Sequence, residues 1–315
     1  MGLRNLFLNE YGRLRSGWRI IVFVLVFAAV YQIFSAFIWV AYLVAEPAFT
    51  RIPHATYFHD LIFRFLLLSS ALLAGYLCTR VIEGLPWRSL GLVLHKKWLR
   101  DFLVGSVVGA LSLSMAVVVA LADRGFSFHF DGTDALLAIS GTLASSLVLF
   151  ILAALAEEAL FRGYPLQTLC RPGLMWLALL LTSVPFATVH LGNPNVVPYV
   201  TFTNTALAGI WLGVAYLRTR SLWFPLGVHW SWNWALGSVF GLPVSGLRIV
   251  RNSLLQGVDL GPFWLTGGNY GIEGGAACTI ALIISTIFIW RTNWVSADPE
   301  LFKLTSQENR ATPAL

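Results

Sequence analysis

Residues 147–166 have the sequence LVLFILAALAEEALFRGYPL, an apolar run that ends in two adjacent glutamates and an arginine. The run belongs to a longer apolar stretch that starts near Ala135. A helix crosses a bilayer core of about 30 Å with roughly 20 apolar residues, so this stretch is long enough to span a membrane. The sequence therefore predicts a transmembrane helix with Glu157 and Glu158 at its edge.

The composition of the whole chain agrees with a membrane protein. The 315 residues are 57% hydrophobic and 11% charged, whereas about a quarter of the residues in soluble domains are charged. The 21 Lys and Arg against 15 Asp and Glu give a net charge of +6. No run of cations is interleaved with stacking aromatic residues, as a nucleic-acid interface would require. Composition therefore excludes ordinary soluble domains, and we expect no nucleic-acid partner.

Apolar stretches of similar length recur along the chain. The first follows Arg4, Arg13, Arg15 and Arg19, which resembles the basic start of a signal peptide. Its apolar run is much longer than the signal-peptide core of about 7–15 residues, so we expect it to be retained as a span. The stretches predict an all-α membrane protein with about eight transmembrane helices. They are residues 17–45, 60–78, 102–122, 135–156 and beyond, 174–189, 199–217, 222–240 and 276–290.

The cations are unevenly distributed between the two sides that these spans define. If the N-terminus is cytoplasmic, sixteen cations fall on the cytoplasmic side and four on the opposite side, with Arg64 inside the second stretch. Such an excess is the positive-inside signal of membrane proteins. This signal predicts a multi-pass protein with both termini in the cytoplasm, and we separately expect residence in a bacterial plasma membrane. The cytoplasmic cations are Arg4, Arg13, Arg15, Arg19, Arg80, Arg88, Lys96, Lys97, Arg100, Arg162, Arg171, Arg218, Arg220, Arg291, Lys303 and Arg310, and the other four are Arg51, Arg124, Arg248 and Arg251.

The two glutamates at the end of the fourth stretch are predicted to differ in role. Glu158 and Arg162 are four residues apart and share a helix face, whereas Glu157 points about 100° away. One carboxylate can thus be held ionised by its own helix, while Glu157 faces a cavity as a general base. The alternative is an ordinary helix end with a salt bridge, and this motif alone leaves both interpretations open.

Two further pairs lie on neighbouring stretches. Phe186 and His190 share a face of the fifth stretch, and His229 and Asn233 share a face of the seventh, because each pair is four residues apart. A single histidine in an apolar helix is usually an interhelical hydrogen-bonding residue. Together with the glutamates, however, the two pairs supply a general base, imidazoles and an amide donor. These groups are the ones that hydrolysis requires.

A turn between the fourth and fifth stretches allows a geometric test. The sequence Arg-Pro-Gly at 171–173 predicts a turn, and Glu157 lies sixteen residues before Gly173, with His190 seventeen after it. We expect both at similar depth, if the fourth helix continues past Glu158 with only a distortion at Pro165. Counting the rise from Ala135 instead puts Glu157 about 33 Å along its helix, near the cytoplasmic edge. Counting from Leu174 puts His190 about 24 Å away from that same edge, so the two counts disagree. Helix tilt, a later helix start or a hairpin below the membrane would reconcile the two counts.

The motifs E-E-x-x-x-R, F-x-x-x-H and H-x-x-x-N, in this order on successive spans, resemble the CAAX protease and bacteriocin-processing (CPBP) family of intramembrane proteases. That family includes the type II CAAX prenyl endopeptidases. The flanking sequences F-R-G-Y and G-I-W-L-G-V-A-Y-L-R-T-R-S-L-W-F-P are similar as well. The resemblance extends over residues 140–236, about a third of the chain, and the rest is similar only as spans.

The resemblance implies a fold, a cavity and a mechanism. The fold would be an eight-helix bundle with an intramembrane catalytic cavity that opens to the cytoplasmic side. Glu157, assisted by His190, would deprotonate a water that attacks a peptide carbonyl, while His229 and Asn233 would donate hydrogen bonds to the oxyanion. The second glutamate and the arginine of the first motif would hold the helix and tune the electrostatic field.

The sequence leaves the cofactor open between a divalent metal, such as zinc, and none. A zinc site takes three or four ligands, and Glu157, His190 and His229 could supply three. The H-E-x-x-H motif of familiar zinc proteases is absent, and the three cysteines lack the C-x-x-C spacing of a metal site and are expected to be buried. The family is described both as metalloproteases and as glutamate-based proteases, and the residues favour the second description.

The predicted organisation has three parts. Residues 1–134 would form three transmembrane helices with an interfacial segment, residues 135–240 the protease core, and residues 241–315 an outer loop, the last transmembrane helix and a polar tail. The predicted function is an intramembrane endopeptidase that acts on a membrane-associated peptide or protein within the lipid bilayer. The alternatives are a non-enzymatic scaffold or bacteriocin immunity protein of the same fold, and a transporter that uses the buried groups as a proton relay.

Overall fold

The computed structural model describes residues 3–49, 55–130 and 136–306, with side chains for residues 5–44, 57–130 and 137–306. Helices dominate these ranges, and each predicted apolar stretch contains one. In chain order the α-helices are α1 (Leu3–Phe7), α2 (Ser16–Phe49), α3 (Ala55–Leu77), α4 (Trp98–Leu121), α5 (Leu136–Glu158), α6 (Tyr164–Cys170), α7 (Met175–His190), α8 (Pro198–Thr219), α9 (Trp223–Trp234), α10 (Phe263–Thr266), α11 (Ala276–Arg291) and α12 (Pro299–Ser306).

The predicted fold class is confirmed. Five helical stretches in the described ranges are long and apolar enough to cross a membrane: Ser16–Val44, Tyr57–Ile82, Trp98–Leu121, Leu137–Cys170 and Pro198–Thr219. Two further apolar helices, α7 and α11, are shorter. The protein is therefore an all-α membrane protein, and the count of eight spans stays a prediction. A small antiparallel sheet of β1 (Phe126–His129) and β2 (Gln256–Asp259) is the exception to the helical architecture.

The helix that carries the glutamates continues past Glu158, which was the condition for a similar depth of Glu157 and His190. A π-helical turn, Ala159–Gly163, joins α5 to α6. Pro165 lies in the first turn of α6, where a missing N–H is tolerated, so the distortion precedes the proline. The predicted turn follows α6, and Gly173 adopts a φ of 83° there, a left-handed conformation that glycine adopts without strain.

The helices form two compact units. Unit 1 comprises Met1–Val93, Leu152–Ala178 and Asp298–Leu315, and unit 2 comprises Leu94–Ile151 and Leu179–Ala297. Glu157, Glu158 and Arg162 belong to unit 1, whereas both histidines of the motifs belong to unit 2. The three-part organisation with boundaries at 134 and 240, and the common depth of Glu157 and His190, therefore stay predictions.

In unit 1, the core joins the N-terminal helix α2 to α3 and α6. Phe23, Ala74, Cys78 and Tyr164 are buried together, and the rings of Phe23 and Tyr164 stack at 5.3 Å between centroids. The expected burial of the cysteines is confirmed, because Cys78, Cys170 and Cys278 are all buried. Because these helices are surrounded by lipid, van der Waals packing of such side chains stabilises the unit.

A charge cluster that the sequence analysis missed lies next to this core. The Glu83 carboxylate, 1% exposed, accepts hydrogen bonds from Arg19 at 3.0 Å, from Arg171 and from Thr168. Arg13 donates to the backbone oxygen of Glu83 at 2.9 Å. Arg13, Arg19 and Arg171, which the sequence analysis counted only as cytoplasmic cations, are buried here, and buried charges require partners. The cluster ties the N-terminal segment to the end of α6. Arg51 and Arg310 lie outside the described residues, as does the side chain of Arg4.

In unit 2, the backbones of α4 and α9 approach closely through glycines. A Cβ atom at Gly105 would overlap the carbonyl oxygen of Phe224, and one at Gly109 would overlap that of Val228. Gly227 makes the reciprocal approach from α9 to α4. Spacing of small residues four apart is typical of helices that pack tightly in membranes. This contact fixes α9, the helix that carries the third motif.

Candidate active site

The first motif forms an ion pair inside unit 1. Arg162 Nη1 donates to Glu158 Oε1 at 3.1 Å, and both side chains are completely buried. The predicted pairing of these two residues is therefore confirmed. The pair connects the end of α5 to the π-helical turn that follows it.

Glu157 has a different environment from its neighbour. Its side chain is half-buried, whereas that of Glu158 is buried. The guanidinium of Arg162 interacts electrostatically with both carboxylates. The structure thus gives adjacent carboxylates different surroundings, as the 100° separation on the helix predicts, and the role of Glu157 as a general base stays a prediction.

The second and third motifs meet around one phenylalanine in unit 2. The ring of Phe186 lies 4.6 Å from that of His190 and 6.3 Å from that of His229, the latter edge-on. His190 Nδ1 donates to the carbonyl oxygen of Phe186 at 2.7 Å, because a carbonyl can only accept. In a neutral imidazole Nε2 is then the nitrogen that accepts a proton. We call Phe186, His190 and His229 the histidine group.

Asn233 follows His229 by one turn of α9. His229 is buried and Asn233 is half-buried. Their spacing of four residues places them on one face of the helix, and the glycine contact with α4 holds that helix in place. The geometry suits two hydrogen-bond donors that act side by side, and their role toward an oxyanion stays a prediction.

Glu273 was missed by the sequence analysis and belongs to this environment. Its Oε1 accepts a hydrogen bond from Trp232 Nε1 at 3.0 Å, and its Oε2 accepts one from the backbone N–H of Ser245 at 2.5 Å. The carboxylate also interacts electrostatically with both histidines of the group. The sequence analysis predicted only an outer loop for the glycine-rich 241–275 segment and no function for it. Acidic residues are scarce in this chain, 15 among 315 residues, and this scarcity was the signal that could have indicated Glu273 as a candidate.

Burial raises the pKa of Glu273 above its ordinary value, because the charged form loses hydration. The hydrogen bonds from Ser245 and Trp232, and the charges of the two histidines, act in the opposite direction. Burial also raises the pKa of Tyr270, and the charge of Glu273 adds to this effect. The 241–275 segment therefore brings two polar groups with raised pKa values close to the histidine group.

A second constellation in unit 2 resembles a serine-protease triad but has the wrong geometry. His95 Nε2 lies 3.3 Å from Ser221 Oγ and 3.7 Å from Asp101 Oδ2. A catalytic histidine contacts serine and carboxylate through opposite ring nitrogens. Here both partners face the same nitrogen, and His95 Nδ1 accepts from the backbone N–H of Lys97 at 3.3 Å. The group is a structural link between the start of α4 and the turn before α9.

The side chains give no support to a metal site. Within the described ranges, no three His, Cys, Asp or Glu side chains are grouped so that they could hold a metal ion. Glu157 belongs to unit 1 and both histidines belong to unit 2. The choice between a divalent metal and no cofactor stays a prediction.

Comparison with known proteins supports the family resemblance. Residues 139–235 match the family model described as Type II CAAX prenyl endopeptidase Rce1-like. This segment contains all three motifs, so the resemblance to the CPBP proteases is confirmed for it. An uncharacterized 24.3 kDa protein of Escherichia coli is 35% identical over 107 residues, which are 33% of this chain and 46% of the relative. The chain thus spans about half the length of this curated relative.

Proposed function

We propose that the protein is an intramembrane endopeptidase that hydrolyses a peptide bond of a membrane-associated peptide or protein, in the manner of CAAX prenyl proteases. The match of residues 139–235 to the type II CAAX prenyl endopeptidase family carries the proposal. All seven residues that the motifs single out fall inside this one segment. The environment is the lipid bilayer, as the apolar helices require.

In the proposed reaction, Glu157 acts as the general base and His190 assists it. Water loses a proton to the carboxylate as its oxygen attacks the peptide carbonyl. The protonated carboxyl group then gives this proton to the amide nitrogen, so that the C–N bond breaks and the amine leaves. The support for Glu157, rather than Glu158, is that Glu158 is committed to a buried ion pair with Arg162. The support for His190 is its fixed tautomer, since the hydrogen bond to Phe186 holds the proton on Nδ1.

The proposed oxyanion donors are His229 and Asn233. A tetrahedral intermediate places negative charge on the former carbonyl oxygen, and fixed donors stabilise this charge more than water does. Both residues lie on the same face of α9, and the close glycine contact with α4 limits the motion of that helix. Pre-organised donors of this kind are usually the largest single contribution to such a reaction.

We also propose that a carboxylate, and no metal ion, activates the water. The absence of the H-E-x-x-H motif from the sequence supports this choice. The test is metal analysis of the purified protein, with peptidase activity measured before and after chelation. Full activity without stoichiometric metal is the expected result, and loss on chelation with recovery on adding zinc would contradict it.

The central test compares Glu157→Gln with wild type on a fluorogenic peptide that ends in a farnesylated CAAX sequence. Loss of general base catalysis is expected to lower kcat about 10²–10⁴-fold. Glu300→Gln is the matched control, because its carboxylate is exposed and pairs with Arg88. Wild-type cleavage by Glu157→Gln would contradict the assignment.

A second experiment compares the protein termini produced by cleavage in membranes of cells that express the wild type or the Glu157→Gln variant. Ends that vanish with Glu157→Gln would identify natural substrates. A scaffold or bacteriocin immunity protein of the same fold is the alternative function, and it would keep its biological effect in the Glu157→Gln variant while no peptide end is lost.

A further inference from the structure

Glu273 lies near the histidine group, although the chain brings it there from outside the segment that contains the motifs. Its side chain is half-buried and interacts electrostatically with His190 and His229. The proposed reaction gives it no role. Because the removal of a carboxylate from water costs free energy, an acidic group kept beside two histidines is a candidate for a role in their chemistry.

Helix α9 fixes one oxygen of this carboxylate. Trp232 Nε1 donates to Glu273 Oε1 at 3.0 Å, and Trp232 follows His229 by three residues on α9. Residues three apart are neighbours on a helix surface. The ring of Trp232 is buried and lies 5.4 Å from that of Trp211 on α8. The position of the carboxylate is therefore tied to the helix that carries His229.

A turn at Ser245 and Gly246 connects the other oxygen to the end of α7. The backbone N–H of Ser245 donates to Glu273 Oε2 at 2.5 Å, and the carbonyl oxygen of Ser245 accepts from Asn193 Nδ2 at 2.9 Å. Asn193 lies three residues after His190, the last residue of α7. The backbone of one residue thus links the carboxylate to the segment that follows His190.

The backbone of this turn is strained. Ser245 has a φ of 48°, in the left-handed region that residues other than glycine seldom adopt. Gly246 follows with a φ of 81°, and a Cβ there would overlap the carbonyl oxygen of Pro194. Strained backbone persists where the surrounding structure over-determines it, and such places cluster at functional sites. Here the strained residue supplies a donor to Glu273.

The backbone of Glu273 is held as well. Asn204, a buried residue of α8, donates to the carbonyl oxygens of Glu273 at 2.9 Å and Gly275 at 3.0 Å. Asn204 Oδ1 accepts in turn from Thr279 Oγ1 on α11 at 2.6 Å. Side chain and backbone are therefore both fixed by unit 2, and a residue that positions catalytic groups requires such support.

The contacts of the carboxyl group fit its ionised form. The ring N–H of Trp232 and the backbone N–H of Ser245 can only donate, and each occupies one carboxyl oxygen. An ionised carboxylate accepts at both oxygens, whereas a protonated one must donate from one of them. The structure thus presents a fixed negative charge to the histidine group.

We propose that Glu273 is a positioning residue of the peptidase, and that its carboxylate stabilises the positive charge of His190 and His229 during peptide hydrolysis. His229 donates to the oxyanion in the proposed reaction, and a charged imidazole donates a stronger hydrogen bond than a neutral one. His190 gains positive charge while it assists the general base. A carboxylate beside a catalytic imidazole stabilises the imidazolium of serine proteases in the same way. This inference rests on the proposed peptidase function.

The first test separates the charge of Glu273 from its shape, with the farnesylated peptide as substrate. Glu273→Gln keeps the size and one acceptor oxygen but removes the charge, whereas Glu273→Asp keeps the charge on a shorter side chain. We expect Glu273→Gln to lower kcat at least about tenfold, short of the roughly 10²–10³-fold cost of removing an oxyanion donor itself. KM should change by less than about twofold, because the interaction develops in the transition state.

Glu273→Asp should retain more activity than Glu273→Gln. A purely structural role predicts the reverse order, since glutamine preserves the shape, and that order or a wild-type kcat in Glu273→Gln would overturn the inference. Glu300→Gln is the matched control, because it removes an exposed carboxylate of unit 1, and it should keep the wild-type kcat. Full kcat in Glu157→Gln would instead contradict the proposed function, so the two failures are distinguishable.

The second test needs no substrate. Thermal unfolding in detergent is measured at pH 6, below the ordinary imidazole pKa of about 6.5. The four proteins are wild type, Glu273→Gln, His190→Gln with His229→Gln, and the triple variant. Without the imidazoles the carboxylate loses its opposite charges, so Glu273→Gln should raise Tm by at least about 2 °C more in that background than in wild type. Equal shifts in both backgrounds would overturn the inference, even if no peptide is cleaved.

Discussion

At the residue scale, Glu158 and Arg162 form an ion pair with both partners completely buried. Such a pair adds little net stability, because the cost of removing both charges from water offsets their attraction. Loss of one partner is different, since the other charge then stays buried without this counterion. The pair is therefore expected to show strong coupling between substitutions.

We predict that Glu158→Leu and Arg162→Met each destabilise the protein by about 3–5 kcal/mol. The double variant Glu158→Leu with Arg162→Met should lose much less than the sum of the two single variants, because both charges are removed together. Chemical unfolding in detergent measures the four proteins of this cycle. Additive effects would show that the pair does not act as a unit.

Glu273 gives a prediction about pH. Burial raises its pKa in the folded protein, so the folded state binds the proton more tightly than the unfolded chain, whose glutamate pKa is about 4.3. The stability from this group is present at acid pH and is lost as pH rises through the raised folded pKa. We expect Glu273→Gln, which cannot ionise, to gain thermal stability relative to wild type as pH rises above about 4.3.

The comparison variant is Trp232→Phe, which keeps the carboxylate but removes a hydrogen bond that lowers its pKa. The pH-dependent loss of stability should then extend to higher pH than in wild type. Thermal unfolding curves in detergent across this range test both variants, and parallel curves for wild type and Glu273→Gln would refute the prediction.

At the element scale, the contact of α4 with α9 depends on glycines. Gly109 has no space for a Cβ, because the atom would overlap backbone of α9. Gly141, on α5, has no neighbour within 4 Å of such an atom. The two positions therefore form a matched pair for the same substitution.

We predict that Gly109→Ala destabilises the protein by about 1–3 kcal/mol through overpacking, and that it lowers kcat because α9 must shift. Gly141→Ala is expected to be neutral or to stabilise by up to about 1 kcal/mol, since alanine favours a helix. Unfolding in detergent and peptide cleavage are measured for both. Equal effects at the two positions would show that the close approach does not matter.

At the scale of the whole molecule, the family-matched segment depends on helices outside it. Its helix α9 packs against α4, and its helix α6 packs against α2 through Tyr164 and Phe23. Both partners lie in the N-terminal part of the chain. The segment with the motifs thus lacks the surfaces that bury its own apolar faces.

We predict that a protein limited to residues 135–240 fails to fold, although it contains every motif residue. Its level in membranes should fall at least tenfold relative to the full chain, with rapid degradation by added protease. Co-expression of residues 1–134 is the informative control, because it restores α2 and α4. A stable and active 135–240 protein would contradict this view and support an independent core.

The sequence by itself determined the membrane class, the positions of the apolar helices and the order of the three motifs. These features depend on run length and on spacing of three or four residues, which the geometry of one helix fixes. The sequence also predicted the Glu158–Arg162 pair correctly, because the two residues are four positions apart on one helix.

Only the tertiary structure decided which distant residues are partners. It buried Arg19 and Arg171 against Glu83, whereas the sequence analysis had only assigned these arginines to the cytoplasmic side. It also placed Glu273 beside histidines 44 and 83 positions earlier in the chain. The physical reason is that the partner of a buried charge is set by how separate helices pack, and local spacing carries no information about that packing.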